Sequence, residues 1–117
     1  MDLIEVSRVA RALERFGERF LERVLTGNER REVRGQVHSL AVRWAGKEAV
    51  AKAFQTGIGD VSFQEIEILN GPRREPVLHL HGAARRLAAE QGLDTWSVSL
   101  SHTGTHAIAF VVAIGKV

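Results

Sequence analysis

Apolar and polar positions change period several times along this chain, and each change marks an element. From Ser7 the apolar residues Val9, Leu13, Phe16 and Phe20 recur at helical spacing, with Gly17 placed to end one helix and start a second that buries Phe20, Val24 and Leu25. Thr26-Gly27-Asn28-Glu29 reads as a turn followed by a capped helical turn. A longer helix begins near Val37 to Ser39 and runs to about Phe54, where Gly57 and Gly59 stop it. On it Leu40, Trp44, Ala51 and Phe54 form the core side. Ala41, Ala45, Glu48 and Lys52 form the neighbouring face, whose small side chains would let a ligand approach closely. Lys47 falls inside the apolar stripe, and a cation there needs a reason. Val61 to Leu69 alternates like a strand whose phase changes between Phe63 and Ile66, as a bulge near Gln64 would cause. Asn70-Gly71-Pro72 turns the chain and Pro76 to His81 returns it. Gly82 to Gln91 predicts a short helix closed by Gly92, and Thr95 to Ser101 with His106 to Ile114 a second strand pair around Thr103-Gly104-Thr105. Helices and hairpins in place of alternating βαβ units predict an α+β fold, a largely antiparallel sheet with helices packed on it, in a single domain spanning 1–117.

Composition narrows the function. Cysteine is absent, which excludes disulfides, thiolate metal sites and a cysteine nucleophile. Neither a signal-peptide core nor an apolar run of membrane-spanning length is present, so the expectation is a soluble, cytoplasmic protein with no membrane partner. Net charge is only +2, but the cations are mostly arginine and cluster early, which suits bidentate contacts with phosphates or carboxylates. Arg8, Arg11, Arg15 and Arg19 make a basic ridge beside the first apolar face. Gly57-Ile58-Gly59 follows a helix and is not followed by Gly-Lys-Ser/Thr, which argues against a Rossmann or P-loop site. Any phosphate must be held by side chains and loop amides.

Three constellations carry chemistry. Asp2 and Glu48 are acids among apolar residues, and such a pair suits Mg²⁺, which takes one or two carboxylates and completes its shell with phosphate and water. The plainer alternative makes Asp2 a helix-entry acid and Glu48 an i,i+4 partner of Lys52. Ser99-Leu100-Ser101-His102-Thr103 lies where a strand meets a turn; its hydroxyls and imidazole either donate to phosphate oxygens or simply order the turn. His79 and His81 share a strand face, but no further ligand has metal spacing around them.

Taken together, an N-terminal Asp-Leu-Ile and Trp44-Ala45-Gly46-Lys47-Glu48-Ala49-Val50-Ala51-Lys52 resemble the paired signature of the phosphopantetheinyl transferases. Arg43, Gly57-Ile58-Gly59, the Phe63 to Ile68 stretch and Ser99 to Thr103 narrow the resemblance to the short holo-acyl-carrier-protein synthase type, over essentially the whole chain. The resemblance implies transfer of 4'-phosphopantetheine from coenzyme A to a serine of apo acyl carrier protein, leaving adenosine 3',5'-bisphosphate, in support of fatty acid biosynthesis. It implies Mg²⁺ held by Asp2 and Glu48, coenzyme contacts from Arg43, Lys47, Lys52 and His102, and a homotrimer with sites between subunits. The carrier's acidity makes Arg8, Arg11, Arg15 and Arg19 its expected docking surface. Glu48, a metal-bound water and a Lys52 of lowered pKa are all possible bases for the serine, with Glu48 and Lys52 the candidate catalytic residues. One departure stands out: the family's short strand ending in Gly-x-Asp is missing, since only Met1 precedes Asp2, so the sheet is expected to lose an element and Asp2 to lie at a fraying terminus. A nucleic-acid module would use the same arginines, but the seven aromatic residues fall mostly at core positions, and no nucleic-acid partner is expected. A trimeric scaffold that has lost activity with that strand is the other alternative.

Overall fold

In the computed structural model, which describes residues 1–115, the chain opens with strand β1 (Asp2–Glu5) and passes directly into helix α1 (Val6–Phe16). Gly17 adopts φ 55°, a conformation that only glycine takes without strain, and separates α1 from α2 (Glu18–Val24). Phe20, Val24 and Leu25 are buried as their spacing predicts. Helix α3 (Gly27–Val33) starts with a full capping box: Thr26 Oγ1 accepts from the Glu29 amide, and Glu29 Oε1 accepts from the Thr26 amide at 2.9 Å.

Helix α4 (Val37–Ala53) is the axis of the molecule. It is buried nearly all round, and Ala41, Ala45, Ala49 and Ala51 are all closed to solvent. The expectation that Ala41 and Ala45 make room for a ligand is therefore corrected. They make room for protein, joining Ala107 and Ala109 of the sheet in one cluster so that helix and sheet approach closely. Gly46 goes further: a Cβ there would stand 2.6 Å from Ile68 and 3.1 Å from Leu100, too close for any side chain without movement.

The segment expected as one bulged strand is instead a 3₁₀ turn (Phe63–Glu65) followed by β2 (Ile66–Asn70). Ser62 and Glu65 form a second capping box, which explains the phase change: the Glu65 carboxylate accepts the Ser62 amide at 2.8 Å and winds the chain before extension begins. β2 pairs antiparallel with β3 (Pro76–Leu80), and α5 (Gly82–Glu90) follows. β4 (Leu93–His102) and β5 (His106–Gly115) form the last hairpin.

The α+β, antiparallel expectation holds, but as two sheets: three strands in the order β1-β5-β4, and the separate pair β2-β3. The expected loss of an N-terminal element does not. Asp2 begins β1, which pairs with β5 from Asp2 against Ala109 to Glu5 against His106. Alternation in β5 sends the small residues Ala107 and Ala109 inward to α4 and the large ones, Ile108, Phe110, Val112 and Ile114, outward beside Leu3 of β1. That outer face is apolar and exposed. No helix among the described residues is long and apolar enough to cross a membrane.

Candidate functional site

One edge of α4 escapes burial, and it carries Trp44, Glu48 and Lys52 at successive i,i+4 steps. The Trp44 indole N–H donates to Glu48 Oε1 at 3.1 Å, leaving Oε2 open. Lys52 Nζ donates to Asp2 Oδ1 at 2.6 Å, so the acid at the start of β1 and the helix edge meet across the molecule. The Asp2 side chain is only 14% exposed; its strand holds it. The hydrogen bond from Lys52 to Asp2, then the charge of Asp2, then more weakly that of Glu48, raise the pKa of Lys52. The expectation of a Lys52 lowered enough to act as a base is reversed: this amine keeps its proton.

Glu48 and Trp44 also line a groove of about 590 Å³ whose apolar walls include Phe16, Phe20 and Val24 on one side and Ile58 and Phe63 on the other, with Arg19 and Arg23 at its rim. Among the described residues, no third His, Cys, Asp or Glu gathers into a metal-binding cluster with this pair. Two carboxylates nonetheless fit Mg²⁺, whose remaining oxygens come from water and phosphate. A soft or four-ligand metal has no such match here.

Lys47 is not at this site. Its side chain is 0% exposed and donates to Glu29 Oε1 at 2.6 Å, the Val24 carbonyl at 2.6 Å and the Phe63 carbonyl at 2.8 Å. Three acceptors match the three protons of an ammonium, so none is left for coenzyme phosphates, and the expected contact is corrected on that ground. Burial pushes the Lys47 pKa down, and the charge of Glu29 pulls against it. This answers the question raised by a cation in an apolar stripe.

Arg43 and His102 meet in a second hollow of about 410 Å³, together with His38, Ser39, Asn70 and Arg74. Arg43 is largely committed to the protein, donating to the Ile68 carbonyl at 3.1 Å, Ser39 Oγ at 2.8 Å and Glu32 Oε1 at 2.8 Å. His102 is exposed, with its ring centroid 5.0 Å from that of His38. His38 in turn bonds the Gly104 carbonyl at 3.0 Å through Nε2, fixing the turn that carries His102. Among the described residues His79 and His81 gather no metal cluster; His81 meets Glu67 at 3.1 Å. Sequence reasoning missed His38, Arg74 and the Trp44–Glu48 bond. Only the last had a signal, an indole donor four residues before an acid on one helix.

The sequence profile of the 4'-phosphopantetheinyl transferase superfamily matches residues 1–111. The chain belongs to that superfamily. A holo-(acyl-carrier-protein) synthase of Herpetosiphon aurantiacus is 48% identical, over 98% of this chain and 96% of the relative. The crystal structure of Helicobacter pylori holo-(acyl-carrier-protein) synthase in complex with coenzyme A superposes with a TM-score of 0.88 at 33% identity, covering 97% of this chain and 96% of that one. The Neisseria meningitidis synthase gives 0.88 at 38% identity, covering 97% and 94%. Within this phosphopantetheinyl transferase, Asp2, Glu48, Lys52 and the hollow with His102 all lie inside the matched span.

Proposed function

We propose that this chain is a holo-acyl-carrier-protein synthase, transferring 4'-phosphopantetheine from coenzyme A to a serine of apo carrier protein with release of adenosine 3',5'-bisphosphate. The observation that carries the reading is the Asp2–Lys52 bond, one helical turn along α4 from Glu48, whose charge also acts on Lys52 and whose side chain lines the apolar groove. Asp2 and Glu48 would hold Mg²⁺, which when bound supplies charge neutralisation to the phosphate oxygens of the coenzyme. In the reaction the serine oxygen forms a bond to the β-phosphorus, the bond from that phosphorus to the bridging oxygen breaks, and the bisphosphate leaves with the electron pair. Lys52, kept protonated by Asp2, stabilises negative charge there and does not accept the serine proton. That leaves Glu48 or a water as acceptor. Arg43 lines the nucleotide hollow as a fixed positive wall, and His102 projects into it to donate to phosphate.

The two hollows lie apart within one chain, and the reading brings them together in a homotrimer, one subunit supplying the carboxylates and its neighbour the basic hollow. The exposed apolar face of β1 and β5 supports such an assembly. The exposed Arg8, Arg11, Arg15 and Arg19, the last at the rim of the Glu48 groove, are the proposed dock for an acidic carrier. Mass spectrometry of apo carrier protein incubated with the chain, coenzyme A and Mg²⁺ tests the function: the carrier is expected to gain one phosphopantetheine, and an unmodified carrier after complete turnover by a reference synthase would overturn it.

A further inference from the structure

We propose that Lys47 is a positioning residue for Glu48, acting from the protein interior through Trp44; the inference rests on the reading of Glu48 given above. Lys47 precedes Glu48 and points about 100° away round the helix, so it touches neither the groove nor Asp2. What it touches are the walls behind the groove. The carbonyl of Val24 ends α2, and the carbonyl of Phe63 belongs to the 3₁₀ turn on the other side; the ammonium bonds both, at 2.6 and 2.8 Å, and ties two segments distant in sequence to one atom.

Those two segments carry the rings that hold Trp44. Phe20 of α2 packs at 5.1 Å from the indole, and Phe63 meets it edge-on at 5.9 Å with an interplanar angle of 80°. The caged indole then donates to Glu48. A relay therefore runs from Lys47 to two backbone carbonyls, to two phenyl rings, to the indole and to one carboxylate oxygen. Glu29 completes the anchor: its other oxygen accepts the Ile68 amide at 2.9 Å, so the ammonium is pinned to the start of α3 and to β2 as well. A buried ion pair is a weak way to gain stability, because an apolar side chain of equal length fills the same volume. An apolar side chain cannot, however, fix the separation of two carbonyls.

The experiment uses the full chain with Trp96→Phe, which removes the only other indole; Trp96 packs on Phe54 in the separate cluster under α5. Trp44 fluorescence and the Mg²⁺ concentration for half-maximal transfer are measured in Lys47→Met and Lys47→Gln, with Ala88→Gly in α5 as a destabilised control, at a temperature where all are folded by circular dichroism. Lys47→Met is expected to raise acrylamide quenching of Trp44 about twofold and to shift the Mg²⁺ midpoint up about tenfold, the usual size of an effect on a metal ligand's hydrogen-bond partner. Lys47→Gln, which keeps donors without charge, falls between it and the parent, and Ala88→Gly matches the parent. Should Lys47→Met fail to fold, Phe63→Leu decides, since it leaves the Lys47 bonds intact and cuts the relay at the ring; it is expected to show the same two changes. Quenching and midpoint both equal to the control, in Lys47→Met or in Phe63→Leu, would overturn the proposal. Loss of transfer by the parent itself would instead sink the functional reading, and the fluorescence alone would still decide whether Lys47 holds Trp44.

Discussion

Lys47 and Glu48 are neighbours in sequence and opposites in setting, and the difference shows what one residue can and cannot reveal. Both charges sit in a helix whose neighbouring positions, Ala45, Gly46, Ala49 and Val50, are apolar or small, and nothing in the pattern says which of them reaches solvent. The partners decide it: Glu29, which accepts two backbone amides and the ammonium, lies far from Lys47 in sequence and reads there only as a helix-capping acid. Arg43 was legible as a basic residue of the central motif, but its commitment to Ile68 and Glu32 was not, because both acceptors are brought by tertiary contact. Glu48 itself allows a sharp test. Glu48→Gln preserves shape and the Trp44 bond but removes the charge a hard cation needs, so transfer should fall by about a hundredfold or more with an unchanged circular dichroism spectrum. Steady-state rates at saturating Mg²⁺ check it; retention of more than half the activity would overturn the proposed role of Glu48 in holding a metal.

Among the elements, the helices and hairpins were readable because each has local punctuation: Gly17, the Thr26 box, the glycines after α4, and Asn70-Gly71-Pro72. The 3₁₀ turn was hidden because Ser62 and Glu65 also suit a strand with a bulge, and only their hydrogen bonds separate the two. Those bonds have a pH signature. The Ser62 amide, and then against some burial the Ala83 amide, hold the Glu65 carboxyl below its ordinary value. For Glu67 burial pushes upward, but hydrogen bonds from Thr26, His81 and Asn28 outweigh it and the net direction is again down. A carboxyl lowered by folding contributes stability that is complete above the ordinary carboxylate pKa and is lost as pH falls through the lowered value. The thermal midpoint should therefore drop as pH is taken from about 5 to about 3, and Glu65→Gln should flatten part of that drop while lowering the midpoint at neutral pH. Scanning calorimetry across that range checks it; an identical acid profile in the variant would show that Glu65 does not contribute.

For the whole molecule, a period of two in β5 announces a strand but not which side is buried. Hydrophobicity alone would turn Ile108, Phe110 and Val112 inward, yet close packing by the alanine-rich α4 accepts only Ala107 and Ala109 there. With Phe110 55% exposed on a face shared with Leu3, Phe110→Lys should break self-association and transfer together. Light scattering of the parent is expected to report three chains and of the variant one; an assembly unchanged by the lysine would place the interface elsewhere. The same sheet also sets a schedule for biosynthesis. Among the described residues β1 pairs only with β5, so the strand bearing Asp2 is made about a hundred residues before the strand it pairs with. Until then the helices and the β2-β3 hairpin can form, but Asp2 cannot be brought to Lys52 on α4. The Asp2–Lys52 contact is thereby a late event of synthesis, although both of its residues are translated well before β5.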